Sequence, residues 1–266
     1  MTLRVLSTAA TGMQAQSVNV DVIANNLSNV NTTGFKKQKA NFEDLLYQKI
    51  RSVGTTTANG TRIPTGSQVG VGVRLVGTQR YFEQGSFENT DRKLDLAIQG
   101  DGFFQVIADQ AGTVGYTRAG NFTRDGNGLL LDPNGHPMEP AITIPTTIPL
   151  DNISIGTDGR VQYKDPTSNA FTDAGQITLA RFSNPEGLDA MGQNLFKKSD
   201  VSGDAIVDNP GSQGLGMLQQ GALETSNVDL VRELTDMIKA QRAYEINSES
   251  IKTADEMLQT AGNLRR

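Results

Sequence analysis

Apolar and small residues recur at alternating intervals of three and four positions at both ends of the chain. The first series is Leu3, Leu6, Ala10, Met13, Ser17, Val20, Ala24 and Leu27. The second is Leu230, Leu234, Met237, Gln241, Tyr244, Ser248 and Ile251, continued after a slip of one position by Ala254, Leu258 and Ala261. A seven-residue repeat is typical of the seam of a coiled coil or helical bundle. We therefore predict one long helix at each end of the chain.

Between these helices the pattern changes to an alternation with a period of two. Stretches such as GVRLVGTQRYF, LDLAIQGDGFFQVI, NISIGTDGRVQYK and GQITLARF predict short strands, separated by turns rich in Gly, Asn and Asp. The turns at 125–128, 132–135 and 157–160 require positive φ angles, which Gly and Asn adopt at little cost. The middle of the chain is therefore predicted to be all-β.

The predicted fold class is α+β. The N- and C-terminal helices pair as a coiled-coil-like layer, beside a central all-β domain and an extended joining segment rich in Thr, Gly and Ser. The joining segment is predicted to be extended chain or a long irregular hairpin. The predicted ranges are 1–46 for the first helix and the polar stretch after it, 47–84 for the joining segment, 85–220 for the β domain and 221–266 for the last helix.

The first helix runs into an unusually polar stretch, ANNLSNVNTTGFKK. Asn and Ser side chains can satisfy the backbone groups that become free where a helix ends, and a glycine can reverse the chain. We interpret the stretch as a joint, with a motif of Asn25, Asn26, Asn29, Asn31, Gly34 and Phe35. The lysines that follow, Lys36, Lys37 and Lys39, are predicted to form a solvated turn and not a phosphate-binding patch.

The start of the last helix is marked by the stretch TSNVDLVRE. Ser226 or Asn227 is predicted to cap its first turn, and Asp229 lies favourably near the positive end of the helix dipole.

Composition narrows the classes of function. With 266 residues, 36% of them hydrophobic, the chain can form a sizeable core in one or two domains. A formal net charge of -5 argues against sequence-independent binding to nucleic acid. The absence of cysteine excludes disulfides, cysteine-ligated zinc and thiol catalysis. No apolar run approaches the roughly 20 residues that span a bilayer, and the N-terminus lacks the unbroken apolar run of a cleavable secretory signal.

Candidates for catalysis are scarce. The single histidine, His136, is predicted to lie in a solvated loop, because no nucleophile elbow accompanies it. The turn at Asp125 offers only the first two oxygen positions of a calcium loop, and Leu129 occupies the third. We predict no catalytic, cofactor-binding or metal-ligating residue, and therefore no enzyme.

The helices must bury their apolar stripes against something. If they pair with each other in antiparallel fashion, much apolar surface remains, which copies from other subunits could cover, or the ends could stay disordered until assembly. An intramolecular helical hairpin that caps the β domain is the alternative. The predicted assembly interface consists of Leu3, Leu6, Met13, Val20, Leu27, Leu230, Leu234, Met237, Tyr244, Ile251 and Leu258.

Three blocks of the sequence, in order, carry a family resemblance. They are the ANNLSNVNTTGFKK stretch, the LDLAIQGDGFFQV and YTRAGNFTRDGNGLLLDPNGHPM stretches, and GALETSNVDLVRELTDMIKAQRAYEINSESIKTADEMLQTAGNL. Together they resemble the bacterial flagellar rod and hook axial proteins over nearly the whole chain. The segment LLYQKIRSVGTTTANGTRIPTGSQVGVGVR is similar to the insertion of the distal-rod branch. The length leaves little room for the additional domains of the hook branch, and a proximal rod or hook-like paralogue is the alternative.

The resemblance implies a structural subunit that polymerises helically into the straight, rigid distal rod of the flagellar basal body and transmits torque from motor to hook. The helices would line an inner tube, with the β domain facing outward. Implied partners are other copies of the chain, the proximal rod proteins, the hook or hook–rod junction, the basal-body P and L rings and the flagellar type III export apparatus. Nucleic acid, small-molecule substrates and cofactors are not expected. The implied location is the rod that spans the periplasm, reached without a cleavable signal peptide.

Two other classes make different predictions. A soluble binding module, such as an export chaperone or cap protein, would form a small closed oligomer and not an open helical polymer. A wall-cleaving hydrolase would need an acid/base pair or a metal site that the sequence does not offer.

Overall fold

The computed structural model describes residues 2–51, 65–109, 111–165 and 170–263. Over these residues the chain combines two long α-helices with many short strands, so the predicted α+β class is confirmed. It divides into two compact units. We call Met1–Ser28, Gln38–Gln79 and Asp229–Arg266 the helical unit, and Asn29–Lys37 and Arg80–Val228 the β unit.

The helical unit contains both helices and the strands of the joining segment. Its elements are α1 (Thr2–Ser28), β1 (Gln38–Asp44), β2 (Gln48–Arg51), β3 (Ser67–Val69), β4 (Val73–Arg80) and α2 (Leu230–Asn263). Strand β1 hydrogen-bonds to β4, and β2 pairs with β3 in antiparallel fashion. Part of the joining segment, residues 52–64, lies outside the described residues. Strand β1 is a finding that the sequence pattern did not predict.

The two helices run antiparallel. Asn26 of α1 contacts Glu233 of α2, whereas Gly12, fourteen residues earlier on α1, lies beside Asn247, fourteen residues later on α2. Helix α1 contains no proline and one glycine, and its only charged residues are Arg4 and Asp21. Such a composition favours a continuous helix that can be covered on several sides.

The cap of α2 is Asp229. Its Oδ1 accepts hydrogen bonds from the backbone N–H groups of Val231 (3.0 Å) and Arg232 (3.2 Å), the geometry of an N-cap. The predicted cap at Ser226 or Asn227 is therefore wrong. A run of candidate capping residues leaves the exact start of a helix undecided until the backbone turns, because each of them offers a side-chain acceptor.

The β unit is built from short antiparallel strands. They are β5 (Phe87–Asn89), β6 (Leu96–Gln99), β7 (Phe104–Ile107), β8 (Val114–Thr117), β9 (Thr123–Arg124), β10 (Leu130–Leu131), β11 (Ile153–Ile155), β12 (Arg160–Lys164), β13 (Phe171–Gln176), β14 (Leu179–Arg181), β15 (Asp189–Gly192), β16 (Leu195–Lys197), β17 (Ile206–Asp208), β18 (Met217–Gln220) and β19 (Ala222–Glu224). One sheet has the order β15-β16-β8-β7 and another the order β11-β12-β13. Strands β18 and β19 pair with β6 and β5, which joins the end of the unit to its beginning.

The core of the β unit has two clusters. The larger is aliphatic with two phenylalanines, and its fully buried members include Leu96, Phe104, Phe122, Leu130, Ile144, Ile177 and Leu218. The smaller is aromatic, formed by Phe103, Tyr116, Phe182 and Phe196 with Ala180. Its rings meet edge to face, as in the Tyr116–Phe182 pair with a centroid distance of 4.7 Å.

The predicted turns have the expected backbone. Gly128, Gly135 and Gly159 have φ angles of +91°, +90° and +85°, which confirms the prediction of positive φ at these turns. Asp125 closes the first turn, because its Oδ1 accepts hydrogen bonds from the backbone N–H groups of Asn127 and Leu129. These bonds favour the carboxylate, chiefly the one from Leu129, and lower the pKa of Asp125.

A close backbone approach at Gly120 gives a test of this packing. A Cβ at this position would lie 1.7 Å from Leu96 O. Gly120→Ala should therefore push Leu96 of strand β6 away from residue 120 and destabilise the β unit by about 1–3 kcal/mol. Urea unfolding followed by far-ultraviolet circular dichroism measures the change. Gly126→Ala is the control, because no heavy atom lies within 4 Å of its Cβ position. Equal midpoints for both variants would contradict the close approach.

Candidate assembly surface

Four alanines, which we call the seam, are among the buried residues of the two helices. Ala9 and Ala15 of α1 and Ala240 and Ala254 of α2 are buried. Gly12 approaches α2 so closely that a Cβ would lie 2.9 Å from Asn247 Nδ2. Small residues allow two helices to approach closely while burying little apolar area. Helix α1 also buries the larger Val22 and Ile23, whereas on α2 large apolar side chains such as Val231 and Ile238 are exposed.

The predicted interface residues lie mostly outside this seam. On α2, Leu230, Leu234, Tyr244 and Leu258 are exposed, and Met237 and Ile251 are half-buried. On α1, Leu6, Met13, Val20 and Leu27 are half-buried, and the side chain of Leu3 is outside what the structure describes. None of these large residues belongs to either of the two buried hydrophobic clusters of the described residues. Their role in assembly stays a prediction.

An exposed apolar patch marks the first turns of α2. It consists of Leu230, Val231, Leu234 and Ile238, and we call it the α2 patch. Val231 is 72% exposed and Ile238 59% exposed, and neither belongs to the predicted series. The spacings of three and four positions from Val231 to Leu234 to Ile238 are the sequence pattern that could have predicted these two residues. A contiguous exposed apolar patch on a soluble domain is typical of an interaction surface.

Asn26 of the joint motif is buried in the helical unit. Its Nδ2 donates hydrogen bonds to Gln38 O (2.8 Å) and Glu233 Oε2 (3.2 Å), and its Oδ1 accepts one from the backbone N–H of Gln38 (2.9 Å). One side chain thereby joins α1, β1 and α2. Asn25 and Asn31 are exposed.

The remaining joint residues lie in the β unit. Asn29 Oδ1 accepts a hydrogen bond from Thr32 Oγ1 (3.1 Å). Gly34 has a φ angle of +68°, and a Cβ there would lie 2.6 Å from the backbone nitrogen of Ala119. Phe35 is buried beneath the guanidinium group of Arg80, 6.0 Å from the ring centroid. The chain reversal at Gly34 therefore requires a residue without a side chain.

Lys36 is fully buried, so the prediction that it belongs to a solvated turn is wrong. Its Nζ donates hydrogen bonds to Glu224 Oε1 (2.5 Å) and Glu83 O (2.7 Å). Glu224 Oε2 also lies 3.4 Å from Nη1 of the buried Arg118. We call Lys36, Glu224 and Arg118 the buried clasp. No local signal predicts it, because Lys36 and Glu224 are far apart in the sequence.

Burial sets the electrostatics of the clasp. Removal from water lowers the pKa of Lys36, and the adjacent Glu224 carboxylate opposes this shift. Burial also lowers the pKa of Arg118 from a value so high that the guanidinium remains charged. Glu224 Oε1 accepts a further hydrogen bond from the backbone N–H of Gly85 (2.9 Å). The buried carboxylate therefore has both cations and a hydrogen-bond donor as partners.

Asn227 extends this connection. Its Oδ1 accepts the backbone N–H of Lys37 (2.7 Å), and its Nδ2 donates to Tyr81 O (2.9 Å) and Glu83 O (3.2 Å). The other two lysines are less buried: Lys37 pairs with Glu83 at 3.4 Å, and Lys39 is exposed. The clasp and Asn227 together connect the stretch that follows α1 in the chain with the stretch that precedes α2.

The residues considered for catalysis have structural roles. The side chain of His136 is only 18% exposed, and its Nδ1 lies 2.9 Å from Asp132 Oδ2, so it is a paired turn residue and not the solvated one predicted. Among the described residues, no three His, Asp or Glu side chains are grouped as a metal site. Neither described helix combines the length and apolar character needed to cross a membrane.

The buried clasp generates a stability prediction. Lys36→Met keeps most of the side-chain volume but removes the cation, and should destabilise the β unit by about 3 kcal/mol. In the double variant Lys36→Met/Glu224→Gln the loss of stability should be smaller than the sum of the two single losses. Each single variant leaves a buried charge without its partner, whereas the double variant removes both charges of the Lys36–Glu224 pair. Urea unfolding of the four proteins measures both quantities.

An exposed ion pair supplies the control. Lys198 lies 3.1 Å from Asp204 with both side chains largely in solvent, so Lys198→Met should change the free energy of unfolding by less than about 1 kcal/mol. A loss in Lys36→Met no larger than that in Lys198→Met would contradict the structural importance of the clasp.

Comparison with known proteins places this geometry in context. Residues 6–36 match the family model described as flagella basal body rod protein, residues 97–163 match the flagellar hook protein FlgE/F/G D1 domain, and residues 219–264 match the flagellar basal body rod FlgEFG protein C-terminal. The α2 patch, Asn26 and the members of the clasp other than Arg118 therefore fall in or at the terminal matches, and Arg118 in the D1 match.

Full-length relatives agree with these matches. The flagellar basal-body rod protein FlgG of Borreliella burgdorferi is 50% identical over 264 residues, 99% of each chain. The protein of the same name from Caulobacter vibrioides is 47% identical over 99% of this chain and 100% of its own. The flagellar hook-basal body complex protein FlhP of Bacillus subtilis is 32% identical over 99% of this chain and 100% of its own. The chain therefore belongs to the family of flagellar basal-body rod proteins.

Proposed function

We propose that the chain is the structural subunit of the straight distal rod of the bacterial flagellar basal body. Subunits polymerise helically into a shaft that transmits torque from motor to hook, and the chain acts as a building block and not as a catalyst. The α2 patch carries the proposal, because four apolar side chains on one exposed helix surface need a partner. Similarity to rod proteins along the whole chain supports another copy as that partner.

Within the polymer, the helices form a coiled-coil-like layer around an inner tube. The large residues of the predicted interface, including Leu27 and Leu234, supply contacts between subunits, while the small residues of the seam hold each pair together. The central all-β domain faces outward from this layer. The ranges 1–46, 47–84, 85–220 and 221–266 are the proposed divisions of the assembled subunit. Stiffness follows from the repetition of many such interfaces along the shaft.

The proposed surroundings follow from the family. The relatives are named as basal-body rod and hook-basal body proteins, which supports neighbours among the proximal rod proteins and at the hook or hook–rod junction. We further propose the P and L rings as the surfaces around the shaft, and the flagellar type III export apparatus as the route to it. The rod would then span the periplasm.

Charge in the helical layer tests polymerisation. Leu234→Asp and Leu27→Asp each place a carboxylate where the polymer requires an apolar side chain, so each should abolish filaments in negative-stain electron microscopy. Leu234 is exposed in the single chain, so its variant should keep the unfolding midpoint of the β unit unchanged.

The matched control uses the next residue along the helix. Thr235→Asp introduces the same charge at a position that is already exposed and polar. Filaments from Leu234→Asp, or equal loss of filaments from Thr235→Asp, would contradict the proposed contact. A β unit that unfolds in Leu234→Asp would contradict the separation of assembly from folding.

The joining segment is proposed to contribute to rigidity. Deletion of part of residues 47–70 should give filaments that bend more easily but still form. Persistence length measured from electron micrographs tests this, and a flexible Gly/Ser replacement of equal length separates the loss of contacts from the shortening of the chain. Filaments of unchanged straightness in both variants would contradict the proposal.

A further inference from the structure

We propose that Asn134 is a site of spontaneous deamidation in the folded β unit. In this reaction the backbone N–H of the following residue gives up its proton and its nitrogen attacks the side-chain Cγ. The amide nitrogen leaves as ammonia, and water opens the succinimide to aspartate or isoaspartate. A following glycine shields its own nitrogen least, because it carries no side chain. The described residues contain Asn–Gly pairs at 127–128 and 134–135, and a third pair at 59–60 lies outside them.

The two described pairs lie in turns of the same construction, which makes them a matched comparison. Asp125 Oδ1 accepts the backbone N–H groups of the residues two and four positions later, and Asp132 Oδ1 does the same. The glycine N–H that must react donates to the backbone oxygen of the aspartate in both turns, at 3.1 Å for Gly128 and 3.0 Å for Gly135. Loss of that bond therefore hinders the reaction similarly at the two sites.

The second carboxylate oxygen is used differently in the two turns. Asp125 Oδ2 accepts a hydrogen bond from Asn127 Nδ2 (3.2 Å), which holds the side-chain amide in place. In the other turn, Asp132 Oδ2 lies 2.9 Å from His136 Nδ1. Within the described part of the chain, the side chain of Asn134 makes no hydrogen bond. Its amide can therefore rotate toward the following nitrogen, whereas that of Asn127 must first break a hydrogen bond.

The space around the two glycines differs in the same direction. Gly128 is buried, its O accepts the N–H of Ile144 at 2.7 Å, and a Cβ there would lie 2.3 Å from Ile144 O. Gly135 is exposed, and beyond its chain neighbours no heavy atom of the described residues lies within 4 Å of its Cβ position. Closure of a succinimide ring moves the glycine peptide. The ring therefore fits at 134–135 but would displace packed backbone at 127–128.

Deamidation at residue 134 would change the charge of the β unit. The new carboxylate would lie in the same turn as that of Asp132 and in the wall of a cavity of about 360 Å³ that Thr32, Thr33 and Asn194 also line. In the isoaspartate product the backbone also gains a methylene group after residue 134. This lengthens the turn that the Asp132 hydrogen bonds close.

Mass spectrometry of the full-length protein tests the site. The protein is kept at mildly alkaline pH and physiological temperature and then digested, and fragment spectra locate each asparagine that has become a carboxylate. In the folded protein Asn134 should deamidate at least about fivefold faster than Asn127, the factor that one hydrogen bond of ordinary net strength gives in a rate. In concentrated urea the two rates should converge, because both asparagines precede glycine and neither turn is folded.

Two substitutions of His136 test why the amide is free. His136→Ala removes the group that occupies Asp132 Oδ2, so this oxygen can accept Asn134 Nδ2, and deamidation should slow several-fold. His136→Asn is the matched control, because its Nδ2 can donate to Asp132 as the imidazole Nδ1 does, and the rate should stay near that of the unchanged protein. The introduced asparagine is inert by this route, since Pro137 has no N–H.

Equal rates at Asn127 and Asn134 in the folded protein would overturn the proposal. A difference that persists unchanged in urea would also overturn it, because its cause would then be the local sequence and not the folded turn. An unchanged or faster rate in His136→Ala contradicts the assigned role of His136. Equal slowing in both His136 variants contradicts it too, because the imidazole would then act as a proton acceptor.

Discussion

The buried carboxylate of Glu224 is the constraint on which the arrangement of the β unit depends. A buried charge without partners costs several kcal/mol, so its neighbours must be in place before the unit is stable. Lys36, Arg118 and the N–H of Gly85 come from three distant stretches of the chain. Strand β19, which carries Glu224, is also paired with β5. The carboxylate therefore joins the beginning, middle and end of the β unit at one point.

This constraint also fixes two stretches of the β unit, one that follows α1 in the chain and one that precedes α2. Lys36 lies a few residues after α1 along the chain, and Glu224 a few residues before α2. Gly34, whose N–H donates to Glu224 O at 2.8 Å, completes the reversal between them. Asn227 repeats the connection with Lys37. The stretches that flank both helices are thus fixed by polar contacts of defined geometry, which specify position more sharply than apolar packing does.

The sequence predicts the features whose cause is local. Both helices follow from their repeats of three and four, and the turns at Gly128 and Gly135 follow from residues that accept positive φ. The errors concern contacts between distant residues. The sequence pattern wrongly predicts a solvated Lys36, because Glu224 is remote in sequence. It does not predict β1, because the partner strand β4 begins some thirty residues later. In the helix pair, large residues dominate the periodic pattern, but Ala9 and Ala240 are more deeply buried than Leu234.

The burial of residues on the two helices supports the proposed polymer. The helices bury four alanines together with Val22, Ile23 and Asn26, and the side chain of Asn26 hydrogen-bonds to Glu233. Large side chains of α2, including Leu234 and Ile238, are exposed, and in the proposed polymer they make contacts with neighbours. Each such side chain contributes about 1.5–3 kcal/mol when it becomes fully buried. A helix pair that covered them within the chain would be more stable alone and would have less to gain from polymerisation. Exposure of these large side chains on α2 therefore favours the proposed polymer over the single subunit.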